Sequence, residues 1–189
     1  MVMATYDEEL LIAARRLFAR RTGQRGQLPS ARVRRSNSTS YYAVFHFRIG
    51  EAGLRLLGTN NGLRHRRRML SRVLTHRGIK VALEKVRRRT VDVSVEDFLR
   101  SPTAALGGTI STPAFARRVA IAFLDAQTKR HEADYDLNAP LSEADARLLR
   151  LRVERAIEEW RHSRSDSDRD FKHALCMLML LKRRLRSEN

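Results

Sequence analysis

Residues 38–58 read STSYYAVFHFRIGEAGLRLLG, and their periodicity decides the fold class. Tyr42, Phe45, Ile49, Ala52 and Leu56 recur at three- and four-residue spacing. That spacing lines one face of an α-helix, whereas a half-buried strand needs strict alternation. Continued backwards, the period starts the helix near Ser30; forwards, Gly58-Thr-Asn-Asn-Gly62 ends it in a turn.

The same reading extends in both directions. Upstream, Leu10, Ala14, Leu17 and Phe18 mark a helix over about 7–21, followed by a loop with Gly23, Gly26 and Pro29. Downstream, residues 63–89 form a basic segment with Met69, Leu70, Val73, Leu74, Ile79 and Leu83 on a buried side, and Gly78 is expected to interrupt or kink it. Residues 90–111 read as a loop around a short helix, and Thr90–Val95 is the only strand-like run. Thr112-Pro113 is a cap hydroxyl followed by proline, a sound helix start. Phe115, Val119, Phe123 and Ala126 then share a face to about Lys129, with a compact polar turn over 130–140. Ser142 with Asp145 resembles a capping pair ahead of Ala146, Leu149, Val153, Ile157 and Trp160. A polar hinge at 163–168 precedes a last helix, about 168–186, with Phe171, Leu175, Leu178, Leu181 and Leu185. The expectation is one all-α domain over 1–189, an antiparallel up-and-down bundle of about five or six helices.

Composition agrees. Hydrophobic residues make up 42% of the 189, enough to bury a core, so the chain is not a disordered polycation. The single cysteine, Cys176, excludes an internal disulfide framework and fits a reducing compartment. The apolar run 174–181 is far shorter than the roughly 20 residues a membrane span needs, and the acidic Asp7, Glu8 and Glu9 are unlike a signal peptide. A cytoplasmic protein without a membrane role is expected.

The formal net charge is +17, and its distribution is uneven. Residues 63–89 carry 11 basic side chains against one acidic, Glu84, whereas residues 90–189 nearly neutralise themselves with 17 basic and 16 acidic. Such an early excess attracts polyanions and steers their approach. The side chains expected to hold nucleic acid are Arg64, Arg66, Arg67, Arg68, Arg72, His76, Arg77, Arg87, Arg88 and Arg89. RNA is the favoured partner, because no helix-turn-helix pair with a recognition helix is evident.

Three constellations carry potential chemistry. In Ser38-Thr-Ser-Tyr-Tyr-Ala-Val-Phe-His46, Tyr42 and His46 are helical neighbours; the plain reading is an aromatic core patch with a satisfied histidine. In Thr75-His76-Arg77-Gly78, His76 either meets a phosphate or caps the preceding turn. In Arg130-His-Glu-Ala-Asp-Tyr-Asp136, an arginine, a histidine, carboxylates and a phenol lie together. They either hold a phosphate and move a proton or form a turn in which Arg130 pairs with Asp134 or Asp136. No cysteine pair, His-x-x-x-His or glycine-rich phosphate loop is present, so no metal or cofactor is expected.

These constellations occur in an order that resembles the HEPN superfamily. The motifs are Ser-x-x-Tyr-Tyr-Ala-x-Phe-His at 38–46, Thr-His-x-Gly at 75–78 and Arg-x-x-Ala-Asp-Tyr-Asp at 130–136 before a capped amphipathic helix. The likeness covers about residues 30–162 and is nearest to small bacterial members encoded beside a minimal nucleotidyltransferase. It implies a bundle of four or five helices, commonly a homodimer, and in many members a metal-independent ribonuclease acting in toxin–antitoxin or defence systems. Residue by residue, the implied catalytic candidates are Arg130 on the scissile phosphate, His131 for proton transfer, Asp134 to orient it, and Tyr135. Counted from Arg130 the family's Arg-x4-6-His motif is not intact, because the next histidine after His131 is His162; Arg155 and His162 match the spacing formally, as chance alone would produce at this arginine frequency. RNA binding with cleavage, or a non-catalytic complex with a nucleotidyltransferase or another acidic protein, are the two expectations.

Overall fold

The computed structural model describes residues 5–19, 26, 28–100 and 110–181. Their fold is an all-α helical bundle with eight α-helices and no strand among the described residues. No described helix is long and apolar enough to cross a membrane.

Helix α1, Tyr6–Arg16, starts where the Glu8 carboxylate accepts from the Thr5 N–H at 2.9 Å. It ends earlier than its apolar pattern suggested; Arg20 and Arg21 lie outside the described residues. Helix α2, Ser30–Leu57, has the expected bounds but not the expected single stripe. Tyr41, Val44, Phe47 and Ala52 are buried with Phe45, and so are the polar Ser36 to Ser40. A helix buried on nearly all sides has no one inner face, which is why periodicity alone misplaced it.

The basic segment is two helices, α3 (Arg64–Val73) and α4 (His76–Val86). The break is at Thr75, not at Gly78 as expected. The Thr75 hydroxyl accepts from the Gly78 N–H at 3.1 Å, so Gly78 closes the new helix's first turn. Glycine suits that place because a Cβ there would meet the Met179 carbonyl oxygen at 3.2 Å. After α4 the chain makes one antiparallel bridge, Thr90 to Ser111, and the short α5 (Glu96–Leu99). The glycines at 107 and 108 lie outside the described residues.

Helix α6 is Ala114–Tyr135, so residues 130–135 are helical and not the compact turn expected from their polarity. Helix α7 is Glu143–His162, with the Ser142 hydroxyl accepting from the Asp145 N–H at 3.0 Å as its cap. Helix α8 is Asp166–Leu178, capped by Ser165; Leu185 lies outside the described residues.

The chain divides into two compact units. One comprises residues 1–47 and 122–158. Its core includes Phe18, Leu28, Val33 and Ala146 with Leu141 against them, and Tyr41 and Phe123, whose ring centroids are 5.5 Å apart. The other comprises residues 48–121 and 159–189. There Ile79, Leu83, Val86, Trp160 and Leu175 are fully buried, and Phe115 meets the Trp160 ring edge-on at 5.2 Å.

Buried charge enters the second core. Arg48, fully buried, places its guanidinium carbon 4.1 Å from the Trp160 ring centroid, and its Nη2 faces Met179 Sδ at 3.4 Å. The Trp160 indole N–H donates to the Glu51 carboxylate at 2.5 Å, and Arg55 pairs with the same carboxylate at 2.8 Å. Lys172, 1% exposed, donates to the carbonyl oxygens of Trp160, at 2.5 Å, and Ser163.

Candidate nucleic-acid interface and the Arg130 cluster

Arg64, Arg68 and Arg72 lie at successive four-residue steps, so α3 stacks them along one face. No residue of α3 is buried. Arg66, His76, Arg77, Arg87, Arg88 and Arg89 are also exposed. Among the described residues, no carboxylate pairs with any of the eight exposed arginines in this set. In the first unit Glu154 pairs with Arg15 and Arg150, and Glu143 with Arg147.

Arg67 is the exception within the set. Its Nη1 donates to the carbonyl oxygens of Gly58 at 2.7 Å and Asn60 at 2.9 Å, closing the turn that follows α2. His76 is the first residue of α4, and the capping its neighbourhood needs comes from Thr75. Met69 and Val73, one turn apart on α3, are 48% and 45% exposed among these arginines.

The Arg130 cluster lies in the first unit. Arg130 Nε is 2.7 Å from Asp134 Oδ2, and its Nη2 donates to the hydroxyls of Tyr135 at 3.2 Å and Tyr42 at 3.4 Å. Its guanidinium carbon is 5.2 Å from the Tyr135 ring centroid, 5.8 Å from that of Tyr42 and 6.0 Å from that of Tyr41. Burial works against its charge, but Tyr42, Asp134 and Tyr135 outweigh burial and hold its pKa above the ordinary value. The other Asp134 oxygen accepts from the Ser38 hydroxyl, linking the motif at 130–136 to the one at 38–46. Burial pushes the Tyr41 phenol well above its usual range despite the nearby Arg130. His131 is exposed and its ring centroid is 5.1 Å from that of Tyr135. The two oxygens of Asp134 thus face Arg130 and Ser38, whereas a proton-relay role required one of them to face His131.

His46 sits between Tyr6, with ring centroids 4.8 Å apart, and Phe45, at 5.3 Å. Burial lowers its pKa, with Asp7 acting in the opposite sense, and the half-buried ring packs among aromatic neighbours.

Sequence reasoning missed two features. The first is Arg34. Its Nη1 donates to the carbonyl oxygens of Glu132, Ala133 and Asp136, and its Nη2 to those of Leu137 and Ala139. Two of these carbonyls, Glu132 and Ala133, belong to the last turn of α6 and three to the chain just after it, so one side chain ties the end of α6 to the residues that follow. The second is the buried charge around Trp160. A signal existed for Arg48, which shares the four-residue row Val44–Arg48–Ala52 with two fully buried residues.

No family model, no curated protein and no solved structure matches this chain.

Proposed function

We propose that the chain binds RNA through the arginine-covered surface of α3, α4 and the residues just after α4, on a HEPN-like all-α scaffold. The observation that carries this reading is a run of eight exposed arginines between 64 and 89 with no carboxylate partner among the described residues. Like charges held this close repel one another, and phosphates relieve that cost while releasing condensed counterions. No Phe, Tyr or Trp lies between residues 63 and 89, so base stacking on rings there is limited to the imidazoles of His65 and His76. The arginine contacts are therefore to the backbone and carry little sequence preference.

Cleavage is not part of the proposal. Arg130 is engaged by the Asp134 carboxylate and by two phenols, and the Asp134 oxygens face Arg130 and Ser38 rather than His131.

The test is binding of a fluorescent single-stranded RNA at increasing salt, with duplex DNA of equal length as the competitor. For about four phosphates engaged, affinity should fall roughly 50-fold between 50 and 200 mM salt. An affinity that stays flat over that range sinks the proposal. A second reading has one observation in its favour. The exposed Met69 and Val73 supply an apolar strip among the arginines, as docking on an acidic protein face, such as that of a nucleotidyltransferase, would use.

A further inference from the structure

The outer face of α3 carries two rows of side chains in one register. Arg64, Arg68 and Arg72 form the first; His65, Met69 and Val73, each the next residue in sequence, form the second. Within a row the side chains step about 6 Å along the helix axis, and the second row lies about 100° further round. All six are exposed, whereas Arg67, Leu70 and Ser71 on the opposite side are half-buried. That side faces α2, where a Cβ on Gly53 would meet the Arg67 stem at 3.6 Å. We propose that the two rows together bind unpaired RNA, the arginines holding successive phosphates and the His65–Met69–Val73 row receiving the bases of the same nucleotides. The inference rests on the RNA-binding reading of this surface and names the form of RNA it takes.

Three observations support the assignment. The first is register. A single strand repeats a phosphate and a base at every nucleotide, on either side of the sugar, so a surface that follows it needs a cationic row and a base-accepting row with a common step. Both rows of α3 advance by four residues at a time, which supplies that step. The second is availability. Among the described residues, none of the guanidinium groups of Arg64, Arg68 and Arg72 has an ion-pair or hydrogen-bond partner, so all three are free for phosphate. The third is the chemistry of the second row. Met69 and Val73 stay half-open to water inside a segment of 11 basic side chains. A polarisable thioether packs well on ring faces, and an imidazole stacks on a base.

Charge density alone favours a duplex, which presents more phosphates per unit length and releases more counterions for each one neutralised. A duplex, however, keeps its base faces stacked on one another, and the major groove of A-form RNA is too deep and narrow for side chains to read. Only the arginine row could then engage, and the His65–Met69–Val73 row would stay in water. An unpaired strand uses both rows. The order of preference between single strand and duplex therefore reports whether the second row takes part.

Fluorescence anisotropy of the full chain with a short oligouridine, which stays unpaired, and with an RNA duplex of equal length tests the proposal. The wild type should bind the oligouridine more tightly. The His65→Ser/Met69→Ser/Val73→Ser variant replaces three exposed side chains, and it should bind the single strand about tenfold more weakly. Its salt slope, duplex affinity and melting temperature should stay as in the wild type. Met69→Phe places a ring on the same row and should tighten single-strand binding alone, about threefold. Salt-dependent binding in which the wild type prefers the duplex overturns the inference and leaves the RNA reading standing. So does single-strand affinity unchanged in both variants, which would free the apolar row for a protein face. No binding of either RNA overturns the RNA reading itself, and the inference with it.

Discussion

Arg34, near the start of α2, donates to the main-chain oxygen of Asp136 at 2.9 Å, and through that bond and four others it terminates α6. Without it, the end of α6 and the turn after it would lose these charged hydrogen bonds, at the cost typical of such losses. Arg34→Ala should therefore destabilise the protein by about 2 kcal/mol in urea unfolding. Arg34→Lys should recover little of this, since a point charge cannot span five carbonyls. Amide exchange should quicken first in residues 130–135. A variant as stable as the wild type would remove the capping role.

Arg48 lies fully buried on Trp160, with its Nε and Nη1 lacking hydrogen-bond partners. The desolvation of that guanidinium opposes folding, and the cation–π contact offsets only part of it. Arg48→Met keeps the volume and removes the charge. The melting temperature should stay level or rise, within about 1 kcal/mol of the wild type at worst. A loss above about 3 kcal/mol would mean that the buried cation is itself required for the fold.

Lys172 has its pKa pushed down to about 8, first by burial and then by repulsion from Arg55. A lysine whose folded pKa is depressed costs stability while both states are protonated. That cost falls as pH rises from about 8 towards its ordinary value near 10.5, because only the unfolded chain still holds the proton. Wild-type stability relative to Lys172→Met should therefore increase across that window, by about 3 kcal/mol at most. The comparison with Lys172→Met matters because the buried Cys176 thiol, its pKa raised mainly by burial, acts in the opposite direction in both proteins. Parallel pH profiles for the two would show that Lys172 does not titrate in this range.

Much of this was legible in the amino-acid order, and what was not has a physical cause. The α2 bounds and the cap at Ser142 follow from local periodicity and hydrogen bonding, which short motifs encode, whereas the caps at Thr75 and Ser165 were not read. The break in the basic segment was assigned to Gly78, because glycine signals a break without saying which side of it the helix restarts; the hydroxyl three residues earlier decides. The helical state of 130–135 was not legible, since Arg34 lies about a hundred residues away in sequence and its cap is a tertiary contact.

Arg67 and Arg68 are sequence neighbours with different work. Arg67 closes the turn after α2 through two carbonyls, whereas Arg68 is exposed and bonds to neither. Arg67→Ala should lower stability by about 1 kcal/mol and affect RNA affinity little. Arg68→Ala should leave the melting curve unchanged, weaken RNA binding and reduce the salt slope by about one. Identical behaviour of the two variants would contradict the division of roles.

The Arg130 cluster makes the sharpest distinction between a scaffold and an active centre. Arg130, Asp134 and Ser38 form one connected ion pair and hydrogen bond, so cutting it at Arg130 strands the Asp134 carboxylate. Arg130→Ala should cost about 2 kcal/mol, and Arg130→Lys should restore part of this by keeping the charge beside Asp134. If the cluster is structural, metal-free incubation of total RNA with wild type and with Arg130→Ala/His131→Ala should leave the RNA equally intact on a gel. Cleavage by the wild type that disappears in the double variant, with the variant still folded, would restore Arg130 and His131 as catalytic residues. It would also mean that Arg130 exchanges Asp134 for a phosphate when RNA binds.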